Sequence, residues 1–154
     1  MSLLQPTEID EEGNCYWRNK NGKLHRDGEA EAQPAFIKAD GYKEWYQNGQ
    51  LHRDGDQPAR IWPNGDQAWY QHGQCHRDGD QPACIWSYIG TDLYHRAWYQ
   101  HGQRHRDGDQ PAVIYADGEQ KWFQHGQYHR DGDQPARILT DGTQEWWVHG
   151  QRIR

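Results

Sequence analysis

This chain has few of the residues that usually build a protein core. Only 33% of its 154 residues are hydrophobic, including one methionine and two phenylalanines, and its mean hydropathy of −1.34 is low. In an irregular sequence this composition would indicate disorder. No stretch approaches the roughly 20 apolar residues of a membrane-spanning helix, and the residues before Gln5 are too few for a signal peptide. We therefore expect neither a membrane protein nor one secreted by a signal peptide.

Clustered positive charge is also missing. The formal net charge is −6 at pH 7, and the basic residues recur as isolated positions. Nonspecific binding to nucleic acids and to anionic membranes depends mainly on clustered Lys and Arg. The charge pattern therefore predicts no nucleic-acid partner and no membrane association.

What the chain does contain is a regular repeat. The tetrapeptide His-Arg-Asp-Gly begins at His25, His52, His76, His105 and His129, which lie 27, 24, 29 and 24 residues apart. One unit reads Q-P-A-x-I-x-x-x-G-x-x-x-W-Y-x-x-G-Q-x-H-R-D-G-D. The longer intervals place three extra residues near 29–32 and five within 87–97. Regular Trp, Ile and Tyr positions predict a folded array, in which each unit adds a large aromatic side chain to one continuous core.

Alignment on the tryptophan of the repeat extends the array to six units. These tryptophans are Trp17, Trp45, Trp69, Trp98, Trp122 and Trp146, and the units start near Gln5, Gln33, Gln57, Gln81, Gln110 and Gln134. The last unit has Ile153 where histidine is expected, and atypical end units are usual in such arrays. Since the repeat runs through nearly all of the chain, we expect one domain over residues 1–154.

The three cysteines fall at three different positions of the repeat. Cys15, Cys75 and Cys84 therefore do not form a repeated framework. This pattern favours incidental thiols in a reducing compartment over a disulfide or metal framework. We expect a cytoplasmic protein.

Glycine marks two turns in each unit. Asn-Gly and Asp-Gly between aromatic and β-branched residues are typical of β-hairpins, because type I′ turns need positive φ at both central positions. The first turn is Asp40-Gly41, Asn64-Gly65, Asp117-Gly118 and Asp141-Gly142; the second is Asn21-Gly22, Asn48-Gly49, His72-Gly73, His101-Gly102, His125-Gly126 and His149-Gly150. Each unit then offers three short strands, around residues 35–38, 43–47 and 50–53 in the second copy. Proline opens the first strand, where its missing N–H does least harm.

No window has a convincing helical period, so the sequence predicts an all-β fold. The preferred architecture is a six-repeat array of about 24 residues per unit, with consecutive antiparallel hairpins in an elongated twisted sheet. A β-solenoid with three strands per coil is the alternative, and the nearly fixed period fits both. Propeller blades usually need about 40 residues, which argues against that fold.

The repeat resembles MORN-like repeats over almost the whole chain. Trp45-Tyr46-Gln47-Asn48-Gly49, His52-Arg53-Asp54-Gly55 and Pro58-Ala59 carry the resemblance. They are closest to the variant with W-Y-x-N-G and H-R-x-D-G-P-A signatures in bacterial, phage and giant-virus proteins. Departures include His for Asn before the turn glycine in four units and a longer D-G-D-Q-P connection. The resemblance implies consecutive hairpins, a scaffolding or binding role, and no particular reaction.

His-Arg-Asp-Gly-Asp is the obvious place to look for catalysis, since it offers a base, an anion clamp and an orienting carboxylate. Its repetition argues against an active site, because a joint between units needs the same contacts every time. We expect Asp54 or Asp56 to accept turn N–H bonds. We expect Arg53 to pair with a carboxylate of its own or the next unit, and His52 to cap the Trp.

The repeated aspartates and histidines also suggest metal binding as an alternative role. Calcium needs six to eight oxygens, and two carboxylates beside an arginine supply too few unless units share ions. Zinc held by stacked imidazoles is conceivable, but histidine replaces asparagine in the second turn, which indicates a conformational role first. We expect no cofactor and no metal. Either histidine column could make the array acid-sensitive.

Adjacent aromatic residues form two rows along the array. Trp69 and Tyr70 would point to opposite faces of a regular strand, so one row could form the core while the other meets a ligand. The second row, Tyr70, Tyr99, Phe123 and Trp147, suits a protein partner or a sugar. The alternative is that both rows are packed, one inside and one between units.

The extra residues in the fourth unit are the one feature that the repeat cannot generate. Insertions in repeat arrays often serve binding. We expect an interaction loop formed by Tyr88, Leu93, Tyr94 and Arg96, with Tyr70, Tyr99 and Phe123 as further contacts.

The sequence as a whole favours a non-enzymatic repeat scaffold that binds a protein partner through one extended face and the central insertion. A carbohydrate-binding module that uses the second aromatic row is the alternative. Resemblance alone suggests a phage or bacterial conflict protein in the cytoplasm of a bacterium or a virus-infected host cell. Unprotected edge strands make homo-oligomers plausible.

Overall fold

The structure, a computed structural model, describes residues 5–26, 33–87, 91 and 93–154. All regular elements of these residues are β-strands, and the part described contains no helix. The chain divides into two compact units, Met1–Gln74 and Cys75–Arg154. The predicted all-β class is confirmed, whereas the single domain over 1–154 stays a prediction.

The strands are short and follow the repeat. Those of the first compact unit are β1 (Glu8–Ile9), β2 (Cys15–Tyr16), β3 (Phe36–Ile37), β4 (Lys43–Glu44), β5 (Tyr46–Gln47), β6 (Gln50–Leu51), β7 (Arg60–Ile61), β8 (Gln67–Ala68) and β9 (Tyr70–Gln71), and β10 (Gln74–Cys75) lies at the boundary. Those of the second are β11 (Cys84–Ser87), β12 (Tyr94–Ala97), β13 (Tyr99–Gln100), β14 (Gln103–Arg104), β15 (Val113–Ile114), β16 (Gln120–Lys121), β17 (Phe123–Gln124), β18 (Gln127–Tyr128), β19 (Arg137–Ile138), β20 (Gln144–Glu145), β21 (Trp147–Val148) and β22 (Gln151–Arg152).

Both compact units contain a meander of antiparallel strands. In the first, the order is β1-β2-β3-β4-β7-β8, and in the second it is β11-β12-β15-β16-β19-β20. The remaining strands form separate two-stranded hairpins, such as β5 with β6 and β17 with β18. A solenoid would stack equivalent strands of successive coils in parallel, but neighbouring strands here run antiparallel. The predicted consecutive hairpins are therefore confirmed.

The predicted middle strand of each unit breaks at its tryptophan. Residues 43–47 form β4 and then β5, with Trp45 between them. The Trp45 N–H donates to the carbonyl of Ala59 at 2.9 Å, and its own carbonyl accepts the His52 N–H at 3.1 Å. The first bond extends the β4–β7 pairing and the second extends the β5–β6 pairing, so the backbone passes from the meander into a separate hairpin at this residue. Each full unit therefore has four short strands, not three.

The two turns of each unit differ in backbone conformation. At Asn48-Gly49 φ is 51° and 84°, and at His72-Gly73 it is 49° and 80°, so both central residues are left-handed as a type I′ turn requires. At Asp40-Gly41 only the glycine has positive φ, at 94°. The Asp40 carboxylate instead accepts the Tyr42 N–H at 2.9 Å, an Asx-type bond that stabilises the turn locally. The type I′ prediction is correct for the second turn from Asn48-Gly49 onward, but it is wrong for Asn21-Gly22, where only the glycine has positive φ, and for the first turn.

The core repeats one large and one small residue per unit. Trp45, Trp69, Trp98 and Trp122 are buried, and so are the alanines of Q-P-A at Ala35, Ala59, Ala83, Ala112 and Ala136. A buried tryptophan removes about 200 Å² from water, worth several kcal/mol. These four tryptophans compensate for the low hydrophobic content, whereas Trp17 and Trp146, in the end units, are only half-buried.

Candidate functional site: the repeated joint, its clefts and the central hairpin

The first histidine of each joint bonds in two directions. His76 Nδ1 accepts the backbone N–H of His101 at 3.1 Å, so it carries no proton. The neutral ring therefore donates from Nε2 to the Asp78 carboxylate at 3.0 Å. The same pair of bonds recurs at His52, His105 and His129. Each histidine thus holds its own aspartate and the turn of the following unit.

The arginine of the joint lies over the tryptophan ring of its own unit. The Arg106 guanidinium carbon is 3.9 Å from the Trp98 ring centroid, and Nη1 donates to the carbonyl of Pro111 at 3.1 Å. The other side of the guanidinium holds both carboxylate oxygens of Asp80, at 2.6 and 2.8 Å. Arg130 repeats this bidentate arrangement with Asp109.

This geometry corrects the expected partners within the joint. Arg106 reaches the aspartate of the preceding copy, rather than its own or the next, because its side chain runs back across Trp98. The first histidine joins the aspartate and the next turn, and its capping of the tryptophan stays a prediction. The Arg106 hydrogen bonds hold the pKa of Asp80 below its ordinary range, and the His105 hydrogen bond lowers the pKa of Asp107.

The second aspartate of the joint occurs in two backbone conformations. Asp56 and Asp133 are left-handed, with φ of 52° and 55°, and their carbonyls accept the indole N–H of Trp69 and Trp146, both at 3.2 Å. Asp80 and Asp109 do not adopt positive φ. In those copies the buried indole nitrogens, of Trp98 and Trp122, have no hydrogen-bond partner among the described residues.

Three clefts recur at equivalent places in the second compact unit, between the W-Y hairpin and the joint. Their volumes are about 340, 80 and 370 Å³. One residue of the second aromatic row lines each: Phe123, Tyr99 and Trp147, respectively. Aspartate, glutamine and arginine complete the walls. Each cleft thus pairs an aromatic side chain with hydrogen-bonding groups.

The second aromatic row is partly packed rather than freely exposed. Tyr70 and Tyr99 are half-buried, and Arg60 and Arg104 donate to their hydroxyls at 3.3 and 3.1 Å. Phe123 is buried, with its ring centroid 4.2 Å from that of Tyr128. Trp147 is half-buried and stacks on Tyr128, with ring centroids 5.2 Å apart. Each of these rings therefore has part of its surface covered by the protein itself.

A cluster around Glu44 was not predicted from the sequence. The buried Glu44 carboxylate accepts hydrogen bonds from the hydroxyls of Tyr42 and Tyr46, at 2.5 and 2.9 Å, and from Arg60 Nε at 2.8 Å. Burial and the carboxylate raise the pKa of Tyr46 to about 12. Glu44 and Arg60 are direct partners in the β4–β7 register, so a correct register would have revealed this pair.

A third aromatic row was also missed. In the first compact unit the rings of Phe36, Tyr42 and Trp62 follow one another, with centroids 6.3 and 5.4 Å apart. In the second, His95 meets Tyr115 edge to face at 5.2 Å. The only sequence signal was the large residue after the repeated isoleucine, at Trp62 and Tyr115.

The central insertion forms a longer hairpin than any other described unit. Strands β11 and β12 have four residues each, paired from Cys84–Ala97 to Ser87–Tyr94. Leu93 and Tyr94 are 53% and 46% exposed, and Arg96 is exposed as well. His95 faces the other way, and its Nδ1 accepts the Ala116 N–H at 3.2 Å. Tyr88 lies outside the described residues.

Two of the three cysteines meet in the second compact unit. The sulfurs of Cys75 and Cys84 are 3.3 Å apart, and no disulfide joins them. Their different positions in the repeat concealed this contact, since one ends a hairpin strand and the other begins a meander strand.

Within residues 5–26, 33–87, 91 and 93–154, no three His, Cys, Asp or Glu side chains are grouped to hold a metal ion. The same residues include no helix long and apolar enough to cross a membrane.

No family model matches the chain, and no curated protein is significantly similar to it.

Proposed function

We propose that this protein is a non-enzymatic repeat scaffold that binds a protein partner through one extended face and the central insertion. The observation that carries the proposal is the exposure of Leu93 and Tyr94 beside Arg96 on the lengthened hairpin. Apolar and aromatic residues with an arginine are enriched at protein interfaces. Exposing them costs solubility unless a partner covers them.

The repeated joint supports the non-enzymatic part of the proposal. In the copies that begin at His52, His76, His105 and His129, the histidine makes the same two hydrogen bonds. A catalytic base needs a free lone pair facing a substrate, whereas here Nδ1 accepts a backbone N–H and Nε2 meets an aspartate. These contacts suit a structural joint.

Site-specific crosslinking tests the protein-partner proposal. A photoreactive phenylalanine analogue at Tyr94 is expected to form one defined adduct with a cellular protein. The same analogue at Ile9, which is 62% exposed but lies in the first compact unit, serves as the matched control. Unlabelled protein should compete with the photoreactive protein for the partner, and the double variant Leu93→Ser, Arg96→Ser should not. The double variant should keep the unfolding midpoint, since both side chains are exposed. Identical adducts at both positions, or none at Tyr94, would refute the proposal.

The proposed setting is the cytoplasm of a bacterium or of a virus-infected cell, with a role in phage or bacterial conflict. This part rests on the resemblance to MORN-like repeats alone. Identification of the crosslinked protein tests it, because a host defence component or a phage protein is expected.

The second candidate function is binding of a carbohydrate. It is favoured by the three clefts of the second compact unit, where Tyr99, Phe123 and Trp147 each meet aspartate and glutamine side chains. Sugars bind through such combinations of ring faces and paired hydrogen bonds. Tyr99 lines a cleft, whereas Tyr94 lies on the insertion. A glycan-array signal that is lost in Tyr99→Ala but kept in Tyr94→Ala would therefore support carbohydrate binding in place of the protein-partner proposal.

A further inference from the structure

The geometry points to a reversible disulfide between Cys75 and Cys84, a site of oxidative modification where the central hairpin begins. The two sulfurs are already 3.3 Å apart. They need to approach by only about 1.3 Å to reach the usual bond length of about 2.0 Å. The contact joins residues nine positions apart, so the bridge would close a short loop around the joint His76-Arg77-Asp78-Gly79-Asp80.

The two cysteines differ in their access to an oxidant. Cys84 is 5% exposed and lies in β11 opposite Ala97. Cys75 is half-buried, and its carbonyl accepts the Gly102 N–H at 2.9 Å. The backbone near each sulfur is therefore held by strand or turn bonds. Cys75 is the thiol that an external reagent reaches first, and Cys84 is placed to resolve the product.

A low-molecular-weight disulfide such as oxidised glutathione supplies a balanced reaction. The Cys75 thiolate attacks one glutathione sulfur, a mixed disulfide forms, and one glutathione thiolate leaves. The Cys84 thiolate then attacks the Cys75 sulfur, so the protein disulfide forms and the second glutathione thiolate leaves. The two protons lost by the cysteines end on the two glutathione thiols, and reduced glutathione in excess reverses both steps.

The bridge would connect the hairpin strand that ends at Cys75 with the meander strand that begins at Cys84. Closing this loop restricts the unfolded chain, and a loop of this size raises the unfolding temperature by about 5 °C. The joint inside the loop presents Asp80 to Arg106, so oxidation would stabilise the contact that links the fourth and third units.

Oxidation of the folded chain, followed by tryptic peptide mapping, tests the inference. Arginines at 60, 77 and 96 place Cys75 and Cys84 in separate tryptic peptides, 61–77 and 78–96. After treatment with oxidised glutathione, we expect these peptides to be joined, two hydrogens lighter than their sum, and separated again by reductant. Cys15, which lies in the first compact unit, should remain open to alkylation.

Matched variants make the outcome decisive. Cys15→Ser should oxidise as the unchanged chain does and gain the same rise in unfolding temperature. Cys84→Ser should leave a glutathione adduct at Cys75 and no rise. As a reference, the chain is oxidised during refolding from urea under conditions that join peptides 61–77 and 78–96. The inference is overturned if the folded chain, under the same conditions, keeps both thiols or carries two glutathione adducts. None of these outcomes depends on the partner, so the inference can fail while the proposed function stands.

Discussion

At the scale of single residues, equivalent side chains of the repeat do not have equivalent partners. Trp69 Nε1 donates to the Asp56 carbonyl, whereas Trp122 Nε1 is buried without a partner among the described residues. The difference follows from the backbone of the second aspartate, which is left-handed at Asp56 and not at Asp109. An unsatisfied buried donor costs free energy that a hydrogen-bonded one does not.

This contrast predicts different costs for the same substitution. Trp69→Phe loses packing and a hydrogen bond, whereas Trp122→Phe loses similar packing but removes an unsatisfied donor. We expect Trp69→Phe to lower the free energy of unfolding by about 1 kcal/mol more than Trp122→Phe. Urea unfolding monitored by circular dichroism measures the difference, and equal costs would mean that the two indoles have equivalent hydrogen bonding.

Acid sensitivity is also argued at the residue scale. Hydrogen bonds from Arg106 and Arg130 lower the pKa of Asp80 and Asp109, and those from His105 and His129 lower the pKa of Asp107 and Asp131. A carboxylate whose pKa is lower in the folded than in the unfolded state stabilises the fold above its unfolded pKa. That contribution is lost as protons bind at lower pH.

We therefore expect the urea midpoint to fall as the pH drops below about 4, near the ordinary aspartate pKa. Asp107→Asn should reduce this dependence and lower the midpoint at neutral pH. Asp117→Asn is the matched control, because Asp117 belongs to an Asx-type turn, where asparagine can make the same bond. If both variants have the same pH dependence, the aspartates of the joint do not set the acid response.

At the scale of the element, the second turn explains why histidine recurs before glycine. His72, His101, His125 and His149 all adopt φ between 46° and 49°, a conformation in which Asn, Asp and His are enriched. Each N–H also donates to a histidine Nδ1 of the preceding joint. The turn residue therefore serves both the hairpin and the contact between units.

Substitution of one turn histidine separates these roles. His101→Asn should keep the positive φ and the backbone bond to His76 and change the unfolding free energy little. His101→Val should cost about 1–2 kcal/mol, because a β-branched residue is strained in the left-handed region. Thermal unfolding of both variants provides the comparison, and equal stability would contradict the role assigned to backbone conformation.

The strands show which elements could be predicted and which could not. Glycine turns and alternating apolar residues located the hairpins, because those signals lie within a few neighbouring residues. The break at Trp45 was missed, since period-two alternation does not reveal that its N–H bonds to Ala59 outside the local hairpin. The same limit concealed the contact between Glu44 and Arg60, which depends on the register of β4 and β7.

At the scale of the whole molecule, terminal strands of a meander leave unpaired backbone groups. In the first compact unit, β1 pairs with β2 and carries Ile9, which is 62% exposed. Exposed edge strands with apolar residues favour pairing between copies.

We expect concentration-dependent self-association through this edge. Sedimentation velocity at rising protein concentration should show a species larger than a monomer, and Ile9→Lys should reduce it by placing a charge on the edge. Ile153→Lys is the control for exposed apolar area elsewhere, because Ile153 is 56% exposed and lies outside the named strands. Only monomer at high concentration, or an equal effect of both variants, would rule out β1 as the contact.

The sequence by itself determined the repeat, the all-β class, the places of the turns, and the position of the insertion whose Leu93 and Tyr94 are exposed. These features follow from local spacing and from the conformational preferences of Gly, Pro and Asn. Only the tertiary structure decided which aspartate each arginine holds, which indole is left without a partner, and that Cys75 meets Cys84. Each of these contacts depends on strand register and backbone conformation at residues outside the local hairpin. Units with nearly the same sequence therefore have different neighbours.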